Sequence, residues 1–290
     1  MIPAAFDYHA PDTLAGAFAL LEQYGDDAKI LSGGQSLLPL LKLRLGAAGH
    51  LVDVGRIPGL EYIKEEEGYL RIGACTREAT LDRSELVRRK YPILTDATEV
   101  IADPIVRNLA TVGGNLAHGD PANDHPAVML ALRAEVVATG RRGTRTIPID
   151  EFFIALFSTA LEPNEVLTEI RIPQLPPKSG GAYVKLERKV GDFAAAASAV
   201  QLTLGGGGEV IRVGIALTNA GPTPVRATEA ERMLLGKQPT DDLIAAASRA
   251  AGSAATPSAD RRGAVEYKRE MARVLTGRAL RQAIQRTREQ

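Results

Sequence analysis

The sequence predicts an α+β protein of two unequal parts, and three observations carry that expectation. Element signals change along the chain from mixed helix and strand, to strands, to helices, whereas a doubly wound sheet would keep alternating. The segment Pro173-Gln174-Leu175-Pro176-Pro177-Lys178-Ser179-Gly180-Gly181 interrupts all periodicity and marks a boundary, giving parts 1–175 and 176–290. The length of 290 residues suits two domains, and 45% hydrophobic with 24% charged residues is ordinary globular composition.

In the first part, Asp12-Thr13-Leu14 followed by Ala17, Leu20 and Leu21 reads as a capped amphipathic helix ending near Gly25. Lys29-Ile30-Leu31 is a short strand running into Ser32-Gly33-Gly34-Gln35-Ser36. Residues 37–45 read as a helix and His50-Leu51-Val52-Asp53-Val54 as a second strand, so residues 1–56 form a small βαβ-like lobe. In the second lobe, 57–175, Tyr62-Ile63 and residues 69–73 suggest a hairpin with Glu65-Glu66-Glu67-Gly68 as its solvated tip. Residues 80–90 and 93–101 read as helices, the second stopping before Pro104. A glycine-rich stretch from Thr111 to Pro126 precedes a helical run at 127–132, and 135–139 is a strand leading to a basic turn at 140–143. Beyond the boundary, 182–186, 194–204 and 210–218 read as three antiparallel strands, the last two joined by Gly205-Gly206-Gly207-Gly208. From Thr228 onward the chain is Ala-rich and charged at helical spacing.

Composition excludes several classes of function. Lys+Arg and Asp+Glu are equal at 35 each, without the basic excess of a nucleic-acid binder, and the 4% aromatic content argues against a base-stacking surface. No apolar run approaches the ~20 residues of a membrane helix. The opening Met1-Ile2-Pro3-Ala4-Ala5-Phe6-Asp7 lacks a signal-peptide core, so a cytoplasmic protein is expected. Cys75 is the single cysteine, which rules out an internal disulfide and a Cys₄ zinc or iron–sulfur site. Redox work by this chain would need an organic cofactor or a partner's metal.

Chemistry is concentrated in two segments of similar grammar, Ser32-Gly33-Gly34-Gln35-Ser36 and Thr111-Val112-Gly113-Gly114-Asn115. Adjacent glycines let backbone N–H groups turn toward one concavity, and Ser36, Thr111 and Asn115 add side-chain donors. Either loop alone reads as a turn; the pair reads as a grip on a diphosphate. No G-x-x-x-x-G-K-[ST] is present and no G-x-G-x-x-G follows a strand, which excludes a P-loop and leaves the usual dinucleotide fold unsupported. Gly34-Gln35-Ser36 is half of a nucleophile elbow, but Leu38 replaces its second glycine and no triad is readable.

These loops resemble the FAD-binding loops of the vanillyl-alcohol-oxidase-like (PCMH-type) two-lobed flavoprotein fold. Within it the chain is similar to the medium subunits of molybdenum hydroxylases, the xanthine dehydrogenase family. Ser36-Leu37-Leu38-Pro39…Lys42…Arg44-Leu45, Ile101-Ala102-Asp103-Pro104, Gly119-Asp120-Pro121…Asn123-Asp124…Pro126-Ala127 and Lys185-Leu186…Arg188-Lys189…Gly191-Asp192 look closest to the aerobic carbon monoxide dehydrogenase branch. The likeness covers nearly the whole chain. It implies that Ser32, Gly33, Gly34, Gln35, Ser36 and Leu37, with Thr111, Gly113, Gly114 and Asn115, hold the FAD diphosphate region. It further implies a contact from Asp124 suited to a sugar hydroxyl and a backbone contact from Leu167 to the flavin part. Lys185 matches a cation near the isoalloxazine that could stabilise the anionic reduced ring. Phe193 falls where relatives place an aromatic, often Tyr. Gln35 stands where the loop often carries His, and some flavin oxidases of this fold attach FAD covalently through a histidine in this loop; Gln35 cannot, so non-covalent FAD is expected.

The same resemblance implies a large molybdopterin subunit, a small [2Fe-2S] subunit and a dimer of such heterotrimers. Electrons would arrive from the iron–sulfur partner and leave from FAD to an external acceptor, with substrate oxidised on the large subunit. Two other readings stay open on sequence grounds: a self-contained FAD oxidoreductase of this fold, and a non-catalytic nucleotide-binding protein. His118, Asp120, Asp124 and His125 are the one metal-like cluster, and a structured turn beside a cofactor accounts for them better than an ion. Asp103 reads as a turn former, Tyr183 as core, Cys75 as a buried small hydrophobe, and Arg141-Arg142 as a solvated hairpin tip.

Overall fold

Parallel pairing organises the first lobe: β1 (Asp7–His9) and β2 (Ala28–Leu31) flank β3 (His50–Asp53), with α1 (Leu14–Tyr24) and α2 (Leu37–Lys42) as crossovers. This is the architecture of a computed structural model, which describes residues 2–289. The Thr13 hydroxyl accepts the Gly16 N–H at 3.1 Å, capping α1 as its sequence signal requires. β1 was not foreseen, because Asp7-Tyr8-His9 is polar; its pairing with β3 at the sheet edge makes it a strand. The second helix stops at Lys42, short of the expected Leu45. Arg44 takes a left-handed φ of 58°, and the Leu45 N–H closes on the Leu40 carbonyl at 3.0 Å, a helix-ending arrangement.

The second lobe is a five-stranded antiparallel sheet with helices packed on it. Its first hairpin joins β4 (Ile63–Glu66) and β5 (Tyr69–Gly73) through Glu67-Gly68 alone, both residues having positive φ (53° and 81°), the primed geometry that matches strand twist. The expected tip was wider; Glu65 and Glu66 belong to the strand, where Glu65 accepts from Lys90 and Tyr91. The single helix expected over 80–90 is two, α3 (Glu78–Arg83) and α4 (Glu85–Lys90), because the Ser84 hydroxyl accepts the Val87 N–H and restarts the helix. Next come α5 (Pro92–Glu99), α6 (Pro104–Arg107), α7 (Val112–Ala117) and α8 (Asp124–Leu132), the last with every residue buried. Asp103 caps α6 by accepting the Val106 N–H at 2.9 Å. The lobe closes with β6 (Glu135–Gly140), β7 (Gly143–Pro148), a short hairpin β8 (Phe153–Ala155) and β9 (Ser158–Thr159), and β10 (Glu165–Pro173). Strand order is β4-β5-β10-β6-β7, so β10 is central.

The C-terminal part has a four-stranded sheet, β11 (Ser179–Leu186), β12 (Ala196–Leu204), β13 (Val210–Thr218) and β14 (Val225–Arg226), where three strands were expected. The two-residue β14 is too short to show a period. Side chains alternate between two cores: Tyr183, Ala197, Ala199 and Ala216 join the second lobe's core, which includes α5 and α8. On the other face Ala182, Val200, Leu202 and Ile215 pack against α9 (Thr228–Leu234), α10 (Asp241–Ala254) and α11 (Val265–Arg286). That alternation aims Tyr183 and Lys185, two apart on β11, at the start of α8. Among the described residues no helix is long and apolar enough to cross a membrane.

Candidate functional site

A cleft of about 550 Å³ opens between the first and second lobes, a size within the range of ligand pockets. It is lined by Ser32, Gly33, Gly34, Gln35, Ser36 and Leu37, by Thr111, Gly113, Gly114 and Asn115, and by Leu167. The first segment leaves β2 and enters α2. Among the described residues, none of the N–H groups of residues 33–37 donates to a protein acceptor, so a run of amides stands free on the cleft wall. Gly33 lies directly on the chain leading into the second segment: a Cβ there would sit 2.2 Å from the Leu109 carbonyl oxygen. Ser32 Oγ and Thr111 Oγ1 meet at 3.0 Å, which fastens the two segments together.

The second segment departs from the symmetric pair of amide cradles expected from sequence. It is the cap and first turn of α7, and its amides are already engaged. Val112 donates to the Thr76 carbonyl and Gly113 to that of Ala74, each at 2.9 Å, while Gly114 donates to Thr111 Oγ1 at 3.2 Å and Asn115 to the Thr111 carbonyl at 2.9 Å. Gly113 is required for closeness, since a Cβ would approach the Ala74 carbonyl oxygen to 2.6 Å. The segment therefore contributes shape and the Asn115 side chain, whose Oδ1 is buried without a hydrogen-bond partner. Donors come chiefly from the first loop.

Sequence reasoning missed part of the wall. Phe157, held with a φ of 57° by its N–H bond to the Gly119 carbonyl, lines the cleft beside His118, ring centroids 5.1 Å apart. Its hairpin is too short to carry a strand period. Cys75 is buried as expected, yet it also reaches the cleft, where Ser32 Oγ lies 3.6 Å from its sulfur and burial pushes its thiol pKa up. Leu167 pairs with Ala138 and borders a β-bulge in β10, where Thr168 is passed over before pairing resumes between Glu169 and Val137.

Asp124, Lys185 and Phe193 lie outside this lining. Asp124 begins α8 next to Asn123, whose Nδ2 donates to the carbonyl of the wall residue Asn115 at 2.9 Å. Both of its oxygens are engaged: Oδ1 accepts from the Tyr183 hydroxyl at 2.6 Å and Oδ2 from Lys185 Nζ at 3.0 Å. A sugar hydroxyl would have to share these oxygens. Burial raises the Asp124 pKa against the pull of the Lys185 ammonium, and burial with the neighbouring carboxylate holds the Tyr183 phenol far up. Lys185, its side chain 2% exposed, also donates to the Val100 carbonyl at 2.9 Å and faces Glu187 Oε2 at 3.4 Å. Phe193 is exposed, with the Arg262 guanidinium 5.5 Å over its ring and its N–H held by Asp192 at 2.8 Å. The metal-like cluster disperses: His125 pairs with Glu78 at 2.7 Å, Asp120 accepts the Ala122 N–H, and His118 turns to Phe157. Among the described residues no three acidic, His or Cys groups gather as a metal site.

Comparison with known proteins places these features in a family. The sequence model described as "FAD binding domain in molybdopterin dehydrogenase" matches residues 4–175, and that described as "CO dehydrogenase flavoprotein C-terminal domain" matches 181–283. The chain is 47% identical to the carbon monoxide dehydrogenase medium chain of Hydrogenophaga pseudoflava, over 97% of both chains. It is 39% identical to the 6-hydroxypseudooxynicotine dehydrogenase complex subunit alpha of Paenarthrobacter nicotinovorans, over 99% of this chain and 97% of the other. The solved carbon monoxide dehydrogenase of Hydrogenophaga pseudoflava superposes with a TM-score of 0.96 at 48% identity, covering 99% of each chain.

Proposed function

Since the chain belongs to the family of FAD-binding medium subunits of molybdopterin dehydrogenases, we propose that it holds a single FAD in the inter-lobe cleft and passes electrons through it. The observation that carries this is the free run of amides from Gly33 to Leu37, set against Thr111 and the unpartnered Asn115 Oδ1 in one cleft. The amides are the donors of an uncharged-residue grip on a diphosphate, while Asn115 Oδ1, an acceptor, suits a hydroxyl or N–H of the cofactor. Bound FAD supplies chemistry that no side chain here has, since it can exchange one electron or two. In this reading residues 32–37 bind the diphosphate, Thr111 and Asn115 complete its seat, and Leu167 offers backbone groups at the bulge. The resemblance further assigns Asp124 to a sugar hydroxyl of the cofactor and Lys185 and Phe193 to its flavin end; of these, Asp124 is tied to the wall residue Asn115 through its neighbour Asn123. The proposed division into an FAD domain, 1–175, and a C-terminal domain, 176–290, is supported by the limits of the two family matches.

The lone Cys75 cannot hold a cluster, and membership in this family implies that electrons enter from an iron–sulfur partner subunit while the substrate is oxidised on a large molybdopterin subunit. We place the chain in a dimer of such heterotrimers, working in the cytoplasm and delivering to an external acceptor. Carbon monoxide is the substrate suggested by the 47% relative, and the 39% relative shows that this architecture also serves organic substrates. Nothing in the cleft favours a self-contained oxidoreductase. Purified chain mixed with FAD should show the flavin absorption bands at one equivalent per chain, and acid precipitation should release all of it. Gln35 turns its Nε2 to the Gly33 carbonyl at 3.2 Å and offers no site for a covalent link. A chain that leaves FAD free in solution would end this reading.

A further inference from the structure

The hairpin of β8 and β9 presents an aromatic ring to the cleft from a strained backbone. Phe157, between the two strands, is 53% exposed and lines the cleft together with His118. Its φ of 57° lies in the left-handed region, which a residue with a Cβ enters only when its surroundings hold it there. The hold is the Phe157 N–H bond to the Gly119 carbonyl at 3.0 Å, with Gly119 itself at a φ of 67°. A Cβ on Gly119 would come within 3.2 Å of the Phe157 carbonyl carbon, so the hairpin is seated directly on the chain that leaves α7. His118, the C-cap of α7, stands beside the phenyl ring with centroids 5.1 Å apart, and burial lowers its pKa, so the imidazole is neutral at pH 7. His118 lies about 7.5 Å further along α7 than Gly113 by helical rise. A ring seated there is one sugar-sized linker from a diphosphate held by the free amides of residues 33–37. An exposed phenyl ring adds little to folding, and the strain that presents it calls for a reason on the ligand's side.

We propose that Phe157 is a binding residue of the cleft whose ring, with His118 beside it, stacks on a flat heteroaromatic ring of the bound dinucleotide. The inference rests on the FAD reading above, and FAD carries two such rings, adenine and isoalloxazine. Either one offers a π-face that a phenyl ring meets favourably, offset or edge-on, and the neutral imidazole next to it brings no charge to desolvate. The backbone hold on Phe157 sets the ring in place before the ligand arrives, so less has to be ordered on binding. Specificity is thereby divided along the cleft. The amide run recognises a diphosphate, whereas Phe157 recognises that a planar ring is attached to it.

The test titrates the full-length chain with FAD, with ADP and with inorganic pyrophosphate, each followed by calorimetry. Phe157→Ala should weaken FAD binding on the order of tenfold. Phe157→Leu, which keeps apolar bulk without a π-face, should do the same and carries the reading where the alanine variant folds poorly. Phe157→Tyr should restore FAD affinity to within about threefold of wild type. An ADP affinity that falls in step with that of FAD assigns the stack to adenine; an unchanged ADP affinity beside weakened FAD assigns it to isoalloxazine. Pyrophosphate has no ring, so its affinity should be equal in all variants. A parallel loss there would mean that the substitution disturbs the amide run, and it overturns the stack. A leucine variant that binds FAD as wild type does overturns this inference alone. A wild-type chain that takes up no FAD removes the reading beneath it as well.

Discussion

At Gly33 the margin between the two cofactor loops is smaller than one methyl group. A Cβ placed there would lie 2.2 Å from the Leu109 carbonyl oxygen and 2.8 Å from the Ala110 Cα, both backbone atoms that cannot swing aside. Gly33→Ala should therefore push the first loop off the second, break the Ser32–Thr111 contact and misalign the free amides. FAD affinity should fall about a hundredfold or more, equivalent to roughly 3 kcal/mol, read by quenching of flavin fluorescence on titration. An affinity within threefold of wild type would show that the loops are not held by this contact. The two loops were legible in the sequence because paired glycines announce themselves locally. The hydrogen bond between Lys185 and Asp124 was not, because it joins residues 61 apart that meet only after the C-terminal sheet docks on α8. The sequence also suggested equal cradles, and only the capped turn of α7 shows that the second one has its amides engaged.

At the scale of elements, α8 is pinned by a buried ion pair that also carries a pH signature. His125 Nε2 lies 2.7 Å from Glu78 Oε2, both side chains fully buried, joining the first turn of α8 to the start of α3. Burial alone would depress the imidazole pKa, but the Glu78 carboxylate outweighs it and raises His125 above its ordinary 6.5. A folded-state pKa above the unfolded value gives stability that is complete below about 6.5 and is lost as pH rises through the folded value. Melting temperature should accordingly decline from pH 6.5 upward, and His125→Asn should flatten that decline even if it lowers stability throughout. A variant with the wild-type slope would assign the pH dependence elsewhere. β10 shows why a central strand can escape sequence reading. Glu165, Glu169 and Arg171 break its apolar run; Glu169 is satisfied laterally by Arg71 at 2.7 Å and by Tyr62, Glu165 by Arg145 at 2.7 Å, and Arg171 donates to Glu169 along the strand itself. Cross-strand partners hide in sequence what they complete in the sheet.

For the molecule as a whole, the cleft separates unequal bodies. The second lobe and one face of the C-terminal sheet share a single large core, whereas the first lobe has small cores of its own around α1–β3 and α2. Its apolar ties across the cleft include Cys75 and Val166. The two-part order of the chain was readable from composition along its length, but this asymmetry was not, since it depends on which faces the sheets bury. A ligand that grips residues 32–37 and 111–115 together acts as a bridge between the weaker body and the stronger. Binding to the folded state alone adds about 2.7 kcal/mol at a ligand concentration of 100 times the dissociation constant, and it should act mainly where local opening is easiest. Hydrogen exchange with and without FAD should thus show protection gained in β2, α2 and β3, with little change in α9, α10 and α11, which pack on the far face of the C-terminal sheet. Protection confined to those C-terminal helices would move the cofactor away from the cleft, because no ligand seated between the lobes could stabilise them first.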